Sequence, residues 1–213
     1  MEGILVVERL CKQIEAKVIL DQISFTAKTG DLIVVTGRNG AGKTTLLRVL
    51  AGLMPKTSGK ILWNQEENGL KHWKIGYLSH LPMLYESLSV LDNLRFFAKL
   101  YGCWSLERGR ELLTEFGLWP ERYELTGVLS RGMKQRLALA RALINDPDVI
   151  LYDEPFTGLD REGTALLQGI LKRKQINSIQ ILVAHDLGYV NGLDYRMMII
   201  EGGKMVEEGI TGV

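Results

Sequence analysis

The chain has 213 residues, enough for one ordinary domain with a modest insert, and its 46% hydrophobic and 24% charged content is that of a soluble globular protein. A formal net charge of +1 argues against nucleic acid or an anionic membrane surface as the main partner. Cys11 and Cys103 stand far apart and outside any CxxC or Cys/His cluster, which argues against a bound metal or a disulfide framework and for two free thiols in a reducing compartment.

The opening MEGILVVERL carries an early Glu and only a short apolar run, so it is not expected to be a signal peptide. No apolar stretch approaches the roughly 18 residues that span a bilayer. A membrane role would therefore require docking on a separate membrane subunit. Residues 3–10 and 17–26 alternate like strands of an antiparallel sheet. Leu32 to Thr36 is a short, fully apolar strand; a Gly-rich turn and an apolar-periodic helix from Lys43 to Ala51 follow, and Gly52 stops the helix. Ile75 to Leu78 reads as another short strand.

From Pro82 to about Arg141 the pattern becomes helical. Ser89 and Asp92 form an S-x-x-D start, Leu91, Leu94, Phe97, Ala98 and Tyr101 recur at helical spacing, and Gly102 supplies the stop. A second periodic run covers Glu107 to Phe116, and a third begins after Ser130. Strands return at Val149 to Tyr152, Ile179 to Ala184 and Arg196 to Ile200, the last followed by a Glu-Gly-Gly-Lys hairpin turn. Buried strands alternating with helices predict a mostly parallel sheet covered on both faces, with its chemistry at the carboxyl ends of the strands.

Residues 37–44 read GRNGAGKT, a full match to G-x-x-x-x-G-K-[ST] between a buried strand and a helix. Gly37, Gly40 and Gly42 let successive N–H groups of Arg38, Asn39, Ala41 and their neighbours point inward at phosphate oxygens. The helix that follows presents its positive end to the same anion. Lys43 can reach the β- and γ-phosphates of ATP, and the Thr44 hydroxyl, followed by Thr45, can ligate Mg2+, which prefers oxygen. VILYDEP places two carboxylates after a buried strand: Asp153 to hold Mg2+, and Glu154 to orient or deprotonate the attacking water. In LSRGMKQR, at 129–136, Ser130 is a plausible N-cap, so Gly132 and its neighbours present free N–H groups at a second helix start.

With these segments the sequence resembles the ATP-binding-cassette family of transporter ATPases, from about Ile4 to Glu208. GRNGAGKTT is similar to the family's Walker A, VILYDEP to its Walker B, LSRGMKQR to its signature (usually LSGGQ) and GLD at 158–160 to its D-loop. His185 falls where the family has a switch histidine. The resemblance implies an α/β P-loop NTPase cassette: a mostly parallel core sheet, an amino-terminal antiparallel β subdomain and a helical insert. It implies one domain over 1–213, with 1–81 and 142–213 as nucleotide-binding core and 82–141 as helical subdomain. It further implies a head-to-tail homodimer on ATP and Mg2+, each ATP lying between one Walker A and the other copy's Ser130, Arg131 and Gly132. His185 would contact the γ-phosphate and Asp160 would communicate across the dimer. The expected partner is an integral-membrane transporter subunit, with no nucleic acid, and the expected place is the cytoplasmic face of the cell membrane, peripherally.

Some positions depart from the family pattern. The family's Gln after the strand at 75–78 is His80 here, and an imidazole is a poorer Mg2+ ligand than an amide oxygen, so His80 is expected to act in coupling. The signature's first Gly is Arg131 and its Gln is Met133; Arg131 either adds positive charge near the partner's nucleotide or points to solvent. Ile14 stands where an aromatic usually stacks on adenine, so weaker base discrimination is expected. LLRVLAGLMPKTSGKILWN, with Trp63, and YLSHLP resemble the ATPase of the heme exporter of cytochrome c maturation. That subfamily implies a role in heme delivery, although neither His72 nor His80 is expected to ligate heme. The alternatives are an exporter subunit for a drug, lipid or ion, a soluble cassette ATPase acting on DNA or ribosomes, and a small-molecule kinase. Leu81, Leu84 and Tyr85 lie near the junction that receives a helix of the membrane subunit in the family, and some of them are expected to be exposed.

Overall fold

The computed structural model describes residues 3–67 and 73–211. Strands β1 (Ile4–Ile14) and β2 (Lys17–Lys28) form an antiparallel hairpin; β4 (Ser58–Trp63) and the short β5 (Glu66–Glu67) extend it in the order β2-β1-β4-β5. Leu5 and Val7 alternate inward, and so does Leu10, three residues on. A register shift between Val7 and Leu10, with Arg9 at φ +45°, absorbs the extra residue and returns Leu10 to the buried face.

The second sheet runs β10-β9-β3-β8-β7-β6, built from β3 (Leu32–Thr36), β6 (Ile75–Leu78), β7 (Val149–Asp153), β8 (Ile179–Val183), β9 (Tyr195–Glu201) and β10 (Lys204–Thr211). Only the β9–β10 hairpin is antiparallel. Both faces are covered, which is why β3, β7 and β8 are apolar at nearly every position. Ile33, Val35, Val149, Leu151 and Ile181 pack towards helix α1 (Lys43–Leu50) and the antiparallel sheet. Leu32, Val34, Ile150, Tyr152 and Leu182 pack towards α4 (Arg131–Leu143) and α5 (Arg161–Lys174). The one polar side chain on that second face of β8, Gln180, is fully buried and paired: Tyr152 donates to its Oε1 (3.1 Å), and its Nε2 donates to the Leu171 carbonyl (2.8 Å).

Between β6 and β7 the chain forms α2 (Val90–Leu100), α3 (Leu106–Glu115) and α4. Ser89 caps α2 by accepting from the Asp92 N–H, and Ser105 caps α3 by accepting from the Arg108 N–H. Gly102, at φ +67°, ends the α2 segment as the sequence pattern predicts. Leu81 and Tyr85 are exposed, as expected of some of these three residues, whereas Leu84 packs against the insert's core.

The 99% buried Asn93 ties this region together. Its Oδ1 accepts from the Tyr85 N–H (2.9 Å), while Nδ2 donates to the Tyr85 carbonyl and the Thr126 hydroxyl (both 2.8 Å). Asn93→Ala leaves the buried Thr126 hydroxyl and the part-buried Tyr85 main-chain groups without these partners, so it should lower the unfolding free energy by roughly 2–3 kcal/mol. Urea unfolding checks this as a shift in midpoint at unchanged slope.

Candidate functional site

Parallel strands put all their carboxyl ends on one edge, and the loops after β3, β6, β7 and β8 meet there. The loop after β3 has left-handed glycines at 37, 40 and 42, with φ +141°, +79° and +107°. Two of them admit no side chain: a Cβ on Gly37 would lie 2.1 Å from the Ile200 carbonyl oxygen, and one on Gly42 would lie 2.7 Å from that of Ile19. Arg38, Asn39 and Gly40 form the exposed rim, and Ala41 is buried beneath it. Gly42 precedes α1 without any side-chain cap, and no acid stands in the first turn, so the first N–H groups of the helix are left for an anion.

Lys43 is 94% buried, and its ammonium donates to the Gly37 (2.8 Å) and Arg38 (3.0 Å) carbonyls. Burial pulls its pKa below the usual lysine range, against the opposing pull of Glu154 and Asp153. The Thr44 hydroxyl donates to Asp153 Oδ1 (2.9 Å), and Thr45 sits half-buried beside it in α1. Asp153 itself is 99% buried, and its Oδ2 has no hydrogen-bond partner. Burial pushes this carboxyl above the usual carboxylate range; Thr44 opposes the shift and the charge of Glu154 adds to it.

An orphaned buried carboxylate oxygen beside a hydroxyl fits a hard divalent cation. Among the described residues no group of three or more His, Cys, Asp or Glu could hold a metal without help. Such a cation would need oxygens from a bound phosphate to complete its shell, which suits Mg2+.

Glu154 adopts φ +54°, the left-handed region that non-glycine residues avoid. Its Oε1 lies 2.8 Å from His185 Nε2, and its Oε2 lies 3.4 Å from His80 Nδ1. β7 stands between β6 and β8 in the sheet, so the residues just beyond the three strands converge on one carboxylate. His80 thus contacts a carboxylate, a role the sequence does not reveal. His72 lies outside the described residues.

The remaining candidates form a second group. Ser130 caps α4, its Oγ accepting from the Met133 N–H (3.3 Å), and Gly132 is half-buried in the first turn. Met133 packs against the insert's core. The Arg131 side chain lies across Gly158, its Nε 2.7 Å from where a Cβ at 158 would sit. Asp160 caps α5 by accepting from the Gly163 N–H (2.7 Å), and Arg136 lies 4.0 Å from its other oxygen. Ile14 is exposed at the tip of the β1–β2 hairpin, whereas further along β2 the Ile19 carbonyl abuts the phosphate loop.

Asp153→Asn should raise the melting temperature of the nucleotide-free protein, because it removes a buried negative charge and keeps the oxygen that accepts from Thr44. The sign follows from the raised pKa: ionising Asp153 costs the native state stability as pH climbs from the unfolded value of about 3.9 through the folded one. The gain should therefore be present at neutral pH and shrink towards pH 3. A pH series of melting curves on the two proteins checks it.

The family model described as ABC transporter matches residues 20–157. An uncharacterized ABC transporter ATP-binding protein of Methanocaldococcus jannaschii is 36% identical over 95% of this chain and 76% of its own length. The cytochrome c biogenesis ATP-binding export protein CcmA of Xylella fastidiosa is 43% identical over 72% of this chain and 73% of its own. The bacitracin transport ATP-binding protein BcrA of Bacillus licheniformis is 35% identical over 98% of this chain and 70% of its own. A solved structure of the ATP-binding subunit of an ABC transporter superposes with a TM-score of 0.89 at 28% identity, covering 97% of this chain and 90% of that one. The fold is thus that of a P-loop ABC ATPase cassette, with an antiparallel amino-terminal sheet, a mixed core sheet and a helical insert. Family membership implies pairing of two such cassettes with a membrane permease, and no helix among the described residues is long and apolar enough to cross a membrane. The chain belongs to the ABC transporter family, as a subunit that binds and hydrolyses ATP.

Proposed function

We propose that two copies of this chain close head to tail on two ATP molecules and drive an exporter whose cargo is a drug, lipid or ion. The observation that carries the hydrolytic part is the end of β7: Asp153 bonded to Thr44 of the phosphate loop, and Glu154 next door in contact with His185. In this reading the backbone of Gly37 to Gly42, with Lys43, Thr44 and Thr45, holds the phosphates. Thr44 and Asp153 would hold Mg2+, which supplies charge neutralisation on the phosphate oxygens. Glu154 takes a proton from the attacking water as the water oxygen bonds to the γ-phosphorus and the bond to ADP breaks. His185 contacts the γ-phosphate. Ser130, Arg131 and Gly132 of one copy face the nucleotide of the other, Asp160 carries the signal between them, and Ile14 packs against adenine.

The cargo reading is supported by coverage. The archaeal relative and the bacitracin transport protein match 95% and 98% of this chain, against 72% for the Xylella cytochrome c biogenesis protein. Heme export stands as the second reading, favoured by the 43% identity within that shorter match and by His80 and Ile14 at their positions. In either case the chain would sit peripherally at the cytoplasmic face, carried by its permease. The exposed Tyr85 stacks on Phe97, which with Leu53, Tyr77, Met83, Tyr101 and Arg141 lines a groove of about 440 Å³ between core and insert, which suits a permease helix.

Glu154→Gln should slow ATP turnover by about 10²-fold or more and leave an ATP-bound dimer on size exclusion; turnover at the parental rate would remove Glu154 from the role. Tyr85→Ala should lose the membrane subunit on co-purification while the cassette stays folded. Retained assembly would count against docking there. Co-purification from native membranes with mass identification and a heme spectrum separates the cargo readings. A permease without heme fits the first, and a cytochrome-maturation permease with a heme-binding component fits the second.

A further inference from the structure

Two aromatic rings bridge the loops that carry Glu154 and His185. Phe156 lies two residues beyond Glu154 and is buried; Tyr189 lies four beyond His185 and is 37% exposed. Their ring centroids are 4.6 Å apart and their planes differ by only 9°. Together with Glu154, Val183, Ala184 and His185 they line a small cavity of about 100 Å³.

Each ring is placed by bonds of its own. On the first side, Gln135 of α4 donates Nε2 to the Pro155 carbonyl (3.2 Å), which fixes the backbone just before Phe156. On the other side, the chain makes a 3₁₀ turn over Leu187–Val190, started by Asp186, whose Oδ1 accepts from the Gly188 N–H (2.8 Å). Gln168 of α5 then donates Nε2 to the Tyr189 carbonyl (2.8 Å). The stack therefore joins two loops that are each anchored to a different helix.

The contact between Glu154 and His185 is not sheltered in this way. The imidazole is 45% exposed, and a hydrogen bond in such a place competes with water. Glu154 is also held in a left-handed conformation that its own chain does not favour. A planar stack restricts the separation and the relative tilt of the two loops, whereas an aliphatic contact would let them slide.

We propose that the Phe156–Tyr189 stack is a positioning pair: it sets the spacing of Glu154 and His185 for hydrolysis without touching the reacting atoms. The proposal rests on the reading of those two residues as the hydrolytic pair. It assigns the function to the Tyr189 ring alone, since among the described residues no hydrogen bond reaches its phenol oxygen.

The test is ATP turnover of the purified full chain at saturating Mg-ATP, with KM, the Kd for a fluorescent ATP analogue and the melting temperature measured beside it. Tyr189→Ala should lower kcat by roughly ten- to hundredfold while KM and Kd stay within about twofold. Tyr189→Phe, which keeps the ring, should restore the parental kcat. In a His185→Ala background, Tyr189→Ala should cause no further loss, because both changes act through one contact.

The proposal is overturned if Tyr189→Ala keeps kcat within twofold, if its loss multiplies with that of His185→Ala, or if Tyr189→Phe is as impaired as Tyr189→Ala. Should Tyr189→Ala fail to fold, Phe156→Leu removes the stack from the other side at similar volume and is judged by the same criteria. Glu154→Gln separates the layers: parental turnover in that variant defeats the hydrolytic reading and the purpose of the spacing with it. A silent Tyr189→Ala beside an inactive Glu154→Gln defeats the positioning pair alone.

Discussion

Parallel pairing of β6, β7 and β8 is the constraint on which the candidate site depends. Neighbours in a parallel sheet leave at the same edge, about 4.8 Å apart, so whatever follows each strand emerges side by side. His80, Glu154 and His185 converge for this reason and not through any local motif. The register must also hold, because a slip of one residue in β7 would exchange the faces shown by Asp153 and Glu154. Full burial of β7 prevents the slip, with Ile150 and Leu151 committed to opposite cores.

The same edge concentrates local penalties. Lys43 carries a charge in a place that disfavours it, Asp153 keeps a buried oxygen without a partner, and Glu154 sits in a left-handed backbone. Each departs from what a stability optimum would choose, and the surrounding core is packed well enough to hold them. The two electrostatic penalties are complementary in sign to a metal-bound phosphate: phosphate oxygens would offset the desolvated ammonium, and a cation would offset the orphaned carboxylate. A site built to be more comfortable empty would gain less on binding.

Contiguous features were legible in the sequence, and juxtapositions were not. The phosphate loop, the Ser89 cap and the Gly102 stop each lie within a few residues, so spacing alone reveals them. Helix α5 has little signature in the sequence: its opening Asp160 belongs to a loop motif, and only a narrow stripe of its face, including Leu167, Ile170 and Leu171, is buried. Strand β4 was hidden by its own composition, since Ser58, Gly59 and Lys60 interrupt the alternation. The contact of His80 with Glu154 and the stack of Phe156 on Tyr189 depend on strand order, which no local pattern encodes. For Arg131 the sequence left two directions open, and its exposed side chain is seen lying across Gly158.

That last contact has an electrostatic consequence. The first turn of α4 holds Arg131 and Lys134 and no acid, although the positive end of a helix favours anions. Lys134 is offset by Glu86 at 2.8 Å, but no ion pair among the described residues reaches Arg131. A cation at this position costs the helix a few tenths of a kcal/mol up to about 1 kcal/mol. The side chain is nevertheless laid against the loop leading to Asp160, where Gly158 at φ +83° leaves room for it. On the proposed head-to-tail arrangement this helix start faces the phosphates of the other copy. In that arrangement the same charge would attract the nucleotide, and the gain in the closed pair would oppose the penalty in the single chain.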